Sequence, residues 1–327
     1  MEVLGSVANL YRDFAQYAVD SPCFVDWAEG VLEDPEVQDW ITSLPEPKRQ
    51  PNLVFAAARW HGVPAPGPYA GLRSALLADD GTIRATIGLR ATQTNEVGRL
   101  ATLMPAFGRI SGGRPLALLE VGASAGLCLY PDLWGYRWQT GRGVRTFGPD
   151  RPVLECDVTG PVPLRFPPFE VHWRGGIDLH PLDVLDDDDV AWLTTLVWPE
   201  HEDRRRTLEQ AIWMARTDPP HVRAGNLLTR LPRMLAEMRE AAPEAVPVVF
   251  HSAVIAYLDD DDRARFARMM TDLVAEGRCH WISNEGRHVL PDVTASAPAP
   301  PGGQFVLGID GQSVGHTHGH GRSLHWW

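Results

Sequence analysis

Cysteine is scarce and scattered. Cys23, Cys128, Cys156 and Cys279 are the four thiols in 327 residues, and no two stand as C-x-x-C. That argues against a disulfide framework or a zinc ribbon and fits reduced thiols in the cytoplasm. Positive charge is also short. Thirty Lys and Arg stand against 42 Asp and Glu, a net charge of −12. A phosphate backbone demands a basic footprint, so no nucleic-acid partner is expected. The one short basic run, Arg204-Arg205-Arg206, reads as a solvated helix face. No apolar run approaches the roughly 20 residues of a spanning helix, and no basic-then-apolar leader opens the chain. The expectation is a cytoplasmic protein with no membrane partner and a small-molecule substrate. The sequence leaves oligomeric state open.

Strand signals are missing from the first 110 residues or so. Leu10, Phe14, Tyr17 and Ala18 recur at helical spacing, as do Phe24, Trp27, Ala28, Val31 and Leu32. Residues 1–112 therefore read as a helical N-terminal domain on the substrate side. After Gly112-Gly113 strands alternate with helices, which predicts a parallel sheet. Residues 113–327 read as an α/β domain with a β-hairpin insertion near 136–165. The strands expected are Leu116–Val121, Val171–Asp178, His221–Ala224, Val246–His251 and Cys279–Ile282, with Phe305–Asp310 and Leu324–Trp327 as a closing antiparallel pair.

Two familiar nucleotide loops are absent. A dinucleotide fingerprint needs G-x-G-x-x-G, and Ser124 replaces its second glycine. A P-loop needs Gly-Lys-Ser/Thr, and Leu127 follows Gly126. What is there is an apolar run ending in an acid, then two glycines with small residues between, Glu120 to Gly126. Bare glycines let a cofactor approach the backbone, and the carboxyl edge of a parallel sheet is where ligands bind. Glu120, Gly122, Ala123, Ser124 and Gly126 are thus candidate cofactor residues. The pattern E-x-G-x-x-x-G resembles the first motif of class I S-adenosylmethionine-dependent methyltransferases. Gly122 to Gly126 also reads as G-x-S-x-G, a hydrolase nucleophile elbow, with Asp292 or Asp310 and His325 available to complete a triad with Ser124.

Other polar residues fall at predicted strand ends. Asp178 ends the second strand, where such methyltransferases hold the cofactor ribose, or it caps a turn. Asn226 follows the third strand as an adenine acceptor or a helix N-cap. His251 ends the fourth strand as base or cofactor contact, with Tyr257 six residues on. Glu285 ends the fifth beside Asn284, facing substrate or forming a turn. Upstream, Arg90 to Glu96 is a dense polar run in which Thr94 or Asn95 caps a helix. Gln50, Asn52, Arg90, Gln93, Asn95 and Asn284 are the candidate substrate residues. His316, His318 and His320 alternate, but no Cys or carboxylate is spaced to complete a ligand set, so no metal is expected.

Long segments carry a resemblance across nearly the whole chain. They are Lys48 to Leu53, Arg90 to Arg99, Leu118 to Leu127, Gly176 to Val184, Val249 to Val254, Ile282 to Gly286, and the tail from His320 to Trp326. Together they resemble a bacterial family catalogued as domain of unknown function 2332. The resemblance implies a doubly wound, methyltransferase-like Rossmann sheet without an established substrate. Asn226 stands where Asp is expected, and Cys128 where Asn is expected. The function it implies is S-adenosylmethionine-dependent methyl transfer, with S-adenosyl-L-methionine as cofactor. The alternative readings are a degenerate nucleotide-binding Rossmann domain without chemistry, or a serine hydrolase using Ser124.

Overall fold

Capping residues set the helix starts. Ser6 accepts from the Asn9 amide at the start of α1 (Val7–Tyr17), and Ser21 from the Phe24 amide at the start of α2 (Pro22–Glu33). Asp34 accepts from two amides of α3 (Pro35–Thr42). Proline occupies the first turn of α2, α3 and α4 (Pro51–Trp60), where its missing N–H has no helical partner to lose. Then come α5 (Tyr69–Leu77), α6 (Thr82–Leu89), α7 (Leu100–Ser111), α8 (Asp187–Leu196), α9 (Glu202–Thr217), α10 (Leu227–Ala241), α11 (Asp260–Ala275) and the one-turn α12 (Pro291–Thr294). The acidic runs fill the first turns of α8 and α11, where they complement the helix dipole. The structure is a computed structural model that describes residues 6–93, 95–295, 297–299 and 302–327.

The chain forms two compact units, Met1–Thr94 with Asp186–Arg206, and Asn95–Leu185 with Thr207–Trp327. The sequence reading drew one boundary at 112. It lies earlier because α7 packs on the sheet, with Phe107 edge-on to Phe250 at 5.3 Å. The segment 186–206 joins the first unit because Trp198 packs on Phe14 and Phe24, and Glu200 accepts from the Ser21 hydroxyl and the Cys23 amide. In that unit Tyr11, Phe14, Phe24, Trp27, Phe55 and Trp198 make an aromatic core of mostly edge-on pairs.

The second unit holds one mixed sheet of eleven strands. They are β1 (Leu116–Val121), β2 (Gly135–Thr140), β3 (Gly143–Phe147), β4 (Val153–Thr159), β5 (Val171–Asp178), β6 (His221–Ala224), β7 (Val246–Ser252), β8 (His280–Gly286), β9 (Gln304–Ile309), β10 (Gln312–His318) and β11 (Ser323–Trp326). Their order is β3-β2-β4-β11-β10-β9-β8-β7-β1-β5-β6. The block β8-β7-β1-β5-β6 is wholly parallel. β9 joins β8 antiparallel, and β10 and β11 continue antiparallel in turn. The expected closing pair, Phe305–Asp310 with Leu324–Trp327, is therefore corrected. β10 stands between its two members and pairs with both, because the histidine-rich Gln312–His318 alternates as a strand. β2 and β3 form a hairpin, and β4 and β11 tie it into the sheet through parallel pairings.

Alternation decides what each face carries. Ala117, Leu119 and Val121 of β1 face a core shared with Leu231, Leu235 and Met238 of α10 and Phe266, Met270 and Leu273 of α11. The intervening positions, including Glu120, face the other side. β1 is buried at all six positions, as expected for a central strand of a parallel sheet.

Candidate site at the carboxyl edge of the parallel strands

Five parallel strands bring five strand ends to one edge. β1 ends at Val121, β5 at Asp178, β6 at Ala224, β7 at Ser252 and β8 at Gly286. Open α/β sheets bind ligands outside such an edge. Two of the three described non-glycine residues with positive φ lie there, Ser124 at +51° and Ala253 at +58°. Such backbone costs of order 1–3 kcal/mol and marks a segment held in place by its surroundings.

The loop after β1 is fixed by hydrogen bonds rather than left open. The Gly122 and Ala123 amides donate to the Ile177 carbonyl at 2.7 and 3.1 Å. The Ser124 amide donates to Asp178 Oδ2 at 2.8 Å, and the Gly126 amide to the Ala123 carbonyl at 2.6 Å. Asn95 holds the rest. Its Oδ1 accepts from the Ala125 and Leu127 amides at 2.9 and 3.3 Å, and its Nδ2 donates to the Ala123 carbonyl at 3.0 Å. Every amide from 122 to 127 thus has a protein acceptor, and none is left to cradle a phosphate. Ahead of α7, Glu96 caps the single 3-10 turn Val97–Arg99, its Oε1 accepting from the Gly98 amide. Thr94 lies outside the described residues.

Gly122 has φ +71°, and an added Cβ would lie 2.2 Å from Val254 Cγ2. The glycine is required by backbone conformation and by Val254, a bulky group of the protein itself. The space beside it is filled, where the sequence pattern predicts a turn left bare for a cofactor. Gly126, at φ +72°, is closed in likewise by Pro220, Leu129 and Val222.

Glu120 and Asp178 end neighbouring strands. Glu120 pairs across to Gly176, two residues before Asp178. Glu120 is 6% exposed, and its Oε2 has no hydrogen-bond partner. Burial pushes its carboxyl well above the ordinary range, the Arg99 charge pulls it back, and the Asp178 charge pushes it up further. Asp178 accepts from the Ser124 amide through Oδ2 and from the His180 amide through Oδ1. It therefore serves the turn-capping role weighed from sequence, and both its oxygens already hold a backbone donor. Asn226 caps α10, accepting from the Leu228 amide at 2.8 Å.

His251 and Glu285 meet on the opposite face. His251 is fully buried, with Nδ1 2.7 Å from Glu285 Oε1. Trp281 Nε1 donates to its Nε2 at 3.0 Å. Trp indole is a donor only, so Nε2 accepts and the ring proton sits on Nδ1, toward Glu285. Both ring nitrogens are engaged. Glu285 Oε1 also accepts from the Val254 and Ile255 amides at 3.0 and 3.1 Å. Tyr257 is 76% exposed. Asn284 faces the Glu120 side, donating to Ser252 Oγ at 2.9 Å and accepting from Thr317 Oγ1 at 2.6 Å.

The remaining substrate candidates belong to the first unit. Gln50 accepts from Thr92 Oγ1 and donates to the Pro47 carbonyl. Asn52 accepts from Trp198 Nε1. Arg90 pairs with Asp188 and Asp189 and lies 5.8 and 5.7 Å from the Trp60 and Trp192 rings. Gln93 is half-buried. Of the partners proposed for Ser124 as a nucleophile, Asp310 pairs with His280 and His325 with Thr159, while Asp292 is exposed in α12.

Sequence reasoning missed Arg99 as a site residue. Its Nε donates to the Gly319 carbonyl at 2.8 Å and its Nη1 to the Ser252 carbonyl at 2.9 Å, tying the start of α7 to the ends of β7 and β10. Beside it Glu96 pairs with His320 at 3.0 Å. No spacing rule joins residues more than 200 positions apart. Among the described residues no group of three or more His, Cys, Asp or Glu is arranged to hold a metal ion, and no helix is long and apolar enough to cross a membrane. A cavity of about 320 Å³ lies elsewhere, lined by Arg137, Asp150, Arg151, Pro152, Val153 and Gln210, none of them a candidate residue.

A family model described as "Uncharacterized protein conserved in bacteria (DUF2332)" matches residues 8–326. The chain belongs to this family. The match covers both units, so their combination is a property of the family as a whole. No curated protein and no solved structure matches the chain.

Proposed function

We propose that this family member binds S-adenosyl-L-methionine at the carboxyl edge of the parallel strands and transfers its methyl group to a small-molecule acceptor. The observation that carries the reading is Glu120, a nine-tenths buried carboxylate with an unpartnered oxygen at the end of the central strand. A buried orphan acceptor costs about 1–3 kcal/mol, and a ligand donor at that position would relieve it. Strand order supports the same reading. Numbered along the chain, the parallel strands run 3-2-1-4-5 and are followed by an antiparallel strand, which resembles the methyltransferase form of a doubly wound sheet. The order reverses between β1 and β7, the switch point at which such sheets take ligands.

The engaged loop amides favour this cofactor over a nucleotide phosphate or a dinucleotide. Glu120 would hold the cofactor through its free oxygen, with Asp178 at the neighbouring strand end fixing the loop beside it. The Val254 side chain against Gly122 closes the inner wall of the loop, which confines a ligand to the outer side of the strand ends. When bound, the cofactor's sulfonium supplies an electrophilic methyl. Methyl transfer depends mainly on alignment, so it requires no free base from the engaged His251–Glu285 pair.

A second reading, ligand binding without chemistry, draws on that same engaged pair. Calorimetry tests the cofactor site that both readings share, and transfer of a labelled methyl group from S-adenosylmethionine separates them. S-adenosylhomocysteine is expected to bind, while ATP and NAD give no heat. A folded sample that gives no heat with S-adenosylhomocysteine at high protein concentration overturns the proposal.

A further inference from the structure

Arg99 and Glu120 are opposite charges that do not meet. Arg99 acts electrostatically on Glu120, yet no ion pair joins them among the described residues. Register explains their closeness. Glu120 lies opposite Phe250 of β7, and Arg99 Nη1 is bonded to the carbonyl of Ser252, two residues further along that strand. Two of the five N–H donors of the guanidinium are engaged, both by main-chain carbonyls. Those two bonds fix the plane of the group and leave the other three donors open. Glu120 brings a buried oxygen with no donor. A fixed cation with free donors thus stands near a buried carboxyl with an unpartnered oxygen, and among the described residues no protein group fills both.

Left alone, this arrangement is unfavourable, because a buried carboxyl oxygen without a donor keeps its full desolvation cost. The chemistry that satisfies both ends carries a carboxylate and an ammonium on one small frame. We propose that Arg99 and Glu120 together recognise an α-amino acid group, Arg99 taking its carboxylate and Glu120 its ammonium, and that Arg99 determines specificity for the carboxylate. This rests on the methyltransferase reading, in which the methionine part of the cofactor is that group. Other polar groups nearby are committed. Glu96 holds His320 and the Gly98 amide, and Asn284 holds Ser252 and Thr317.

The test is calorimetry with three probes on the native chain. They are S-adenosylhomocysteine, its decarboxylated analogue, and 5′-methylthioadenosine, which lacks the whole amino acid. A charge-assisted bond predicts a loss of roughly 10- to 100-fold when the carboxylate is removed, and a further loss when the ammonium goes. In Arg99→Ala, checked for folding by circular dichroism, S-adenosylhomocysteine should weaken to the level of the decarboxylated analogue, whose own affinity stays unchanged. Equal binding of all three probes to the native chain overturns the inference while leaving the cofactor reading intact. So does an equal loss for both adenosyl amines in Arg99→Ala. Binding by none of the three overturns both. The native-chain series decides the matter even if the variant fails to fold.

Discussion

Gly122→Ala tests whether the turn after β1 is dictated by packing or left open for a ligand. Two terms oppose the added methyl. The backbone sits at φ +71°, and the left-handed region costs a residue with a Cβ roughly 1–2 kcal/mol. The new carbon would also lie 2.2 Å from Val254 Cγ2 and 2.6 Å from its Cβ, both far inside contact distance. Overpacking of this kind costs about 1–3 kcal/mol. The sum is a loss of about 2–5 kcal/mol, read as a lower urea midpoint at unchanged slope. The two terms separate in a double-mutant cycle. Val254→Gly deletes every side-chain atom in the clash. In Gly122→Ala/Val254→Gly the steric term should vanish and the backbone term of about 1–2 kcal/mol remain. The coupling energy should therefore be about 1–3 kcal/mol in favour of the double variant. Additivity within about 0.5 kcal/mol would mean that Val254 does not fill the space beside Gly122.

Four further outcomes follow from the same geometry. Asn95→Ala strands two amides and a carbonyl of buried loop residues and should destabilise by roughly 2–4 kcal/mol in urea unfolding, whereas Asn95→Asp keeps the acceptor for both amides and should lose less. Burial raises the Glu120 carboxyl above its ordinary 4.5. The folded state then holds this proton where the unfolded chain has released it, so the contribution is full below pH 4.5 and is lost as pH rises toward the folded value. Glu120→Gln should flatten that decline in a series of urea midpoints against pH, and an unchanged profile refutes the assignment. Asp132→Ala leaves the buried Arg174 without its bidentate partner and should cost about 3–5 kcal/mol, more than Arg174→Met/Asp132→Leu, in thermal or urea unfolding. All four thiols are buried and unpaired, and burial holds Cys156 and Cys279 at about 12, so a disulfide reagent should label none in the native protein and four after unfolding.

β1 was legible because burial on both faces forces a continuous apolar run, whereas β5 and the mostly exposed β6 are only partly apolar. Leu116–Val121, Val171–Asp178 and His221–Ala224 have the bounds read from the residues alone. The helix start at Asn226 was legible because capping is local chemistry. Where a side chain's use depends on distant partners, local reading stops. Arg99 reads as one more arginine on a helix, and only folding sets it between the Ser252 and Gly319 carbonyls. β10 was missed because its histidines read only as metal ligands without a completing set, while its role as the middle member of an antiparallel trio depends on partners on both sides. The segment 186–206 reads as part of the sheet region, and its tryptophans instead tie it to the first unit.

The acid and the histidine that look most like catalysts in the sequence have a different physical task. Glu285 Oε1 gathers three donors, His251 Nδ1 and the amides of Val254 and Ile255. Those amides belong to the turn after β7, whose preceding residue, Ala253, is held at φ +58°. That turn presents Val254 to Gly122. A chain of contacts therefore runs from Trp281 through His251 and Glu285 to the wall of the β1 loop. Its members are titratable, yet the ring nitrogens are taken by the Glu285 carboxylate and the Trp281 indole and Glu285 Oε1 holds two backbone amides, which leaves Glu285 Oε2 as the unpartnered atom of the pair. The other face carries the second unpartnered carboxyl oxygen, Glu120 Oε2, together with Arg99, whose remaining donors have no partner among the described residues, and it is there that the proposed cofactor would lie. A reaction limited by alignment rather than by proton transfer is the kind that such a division of labour suits.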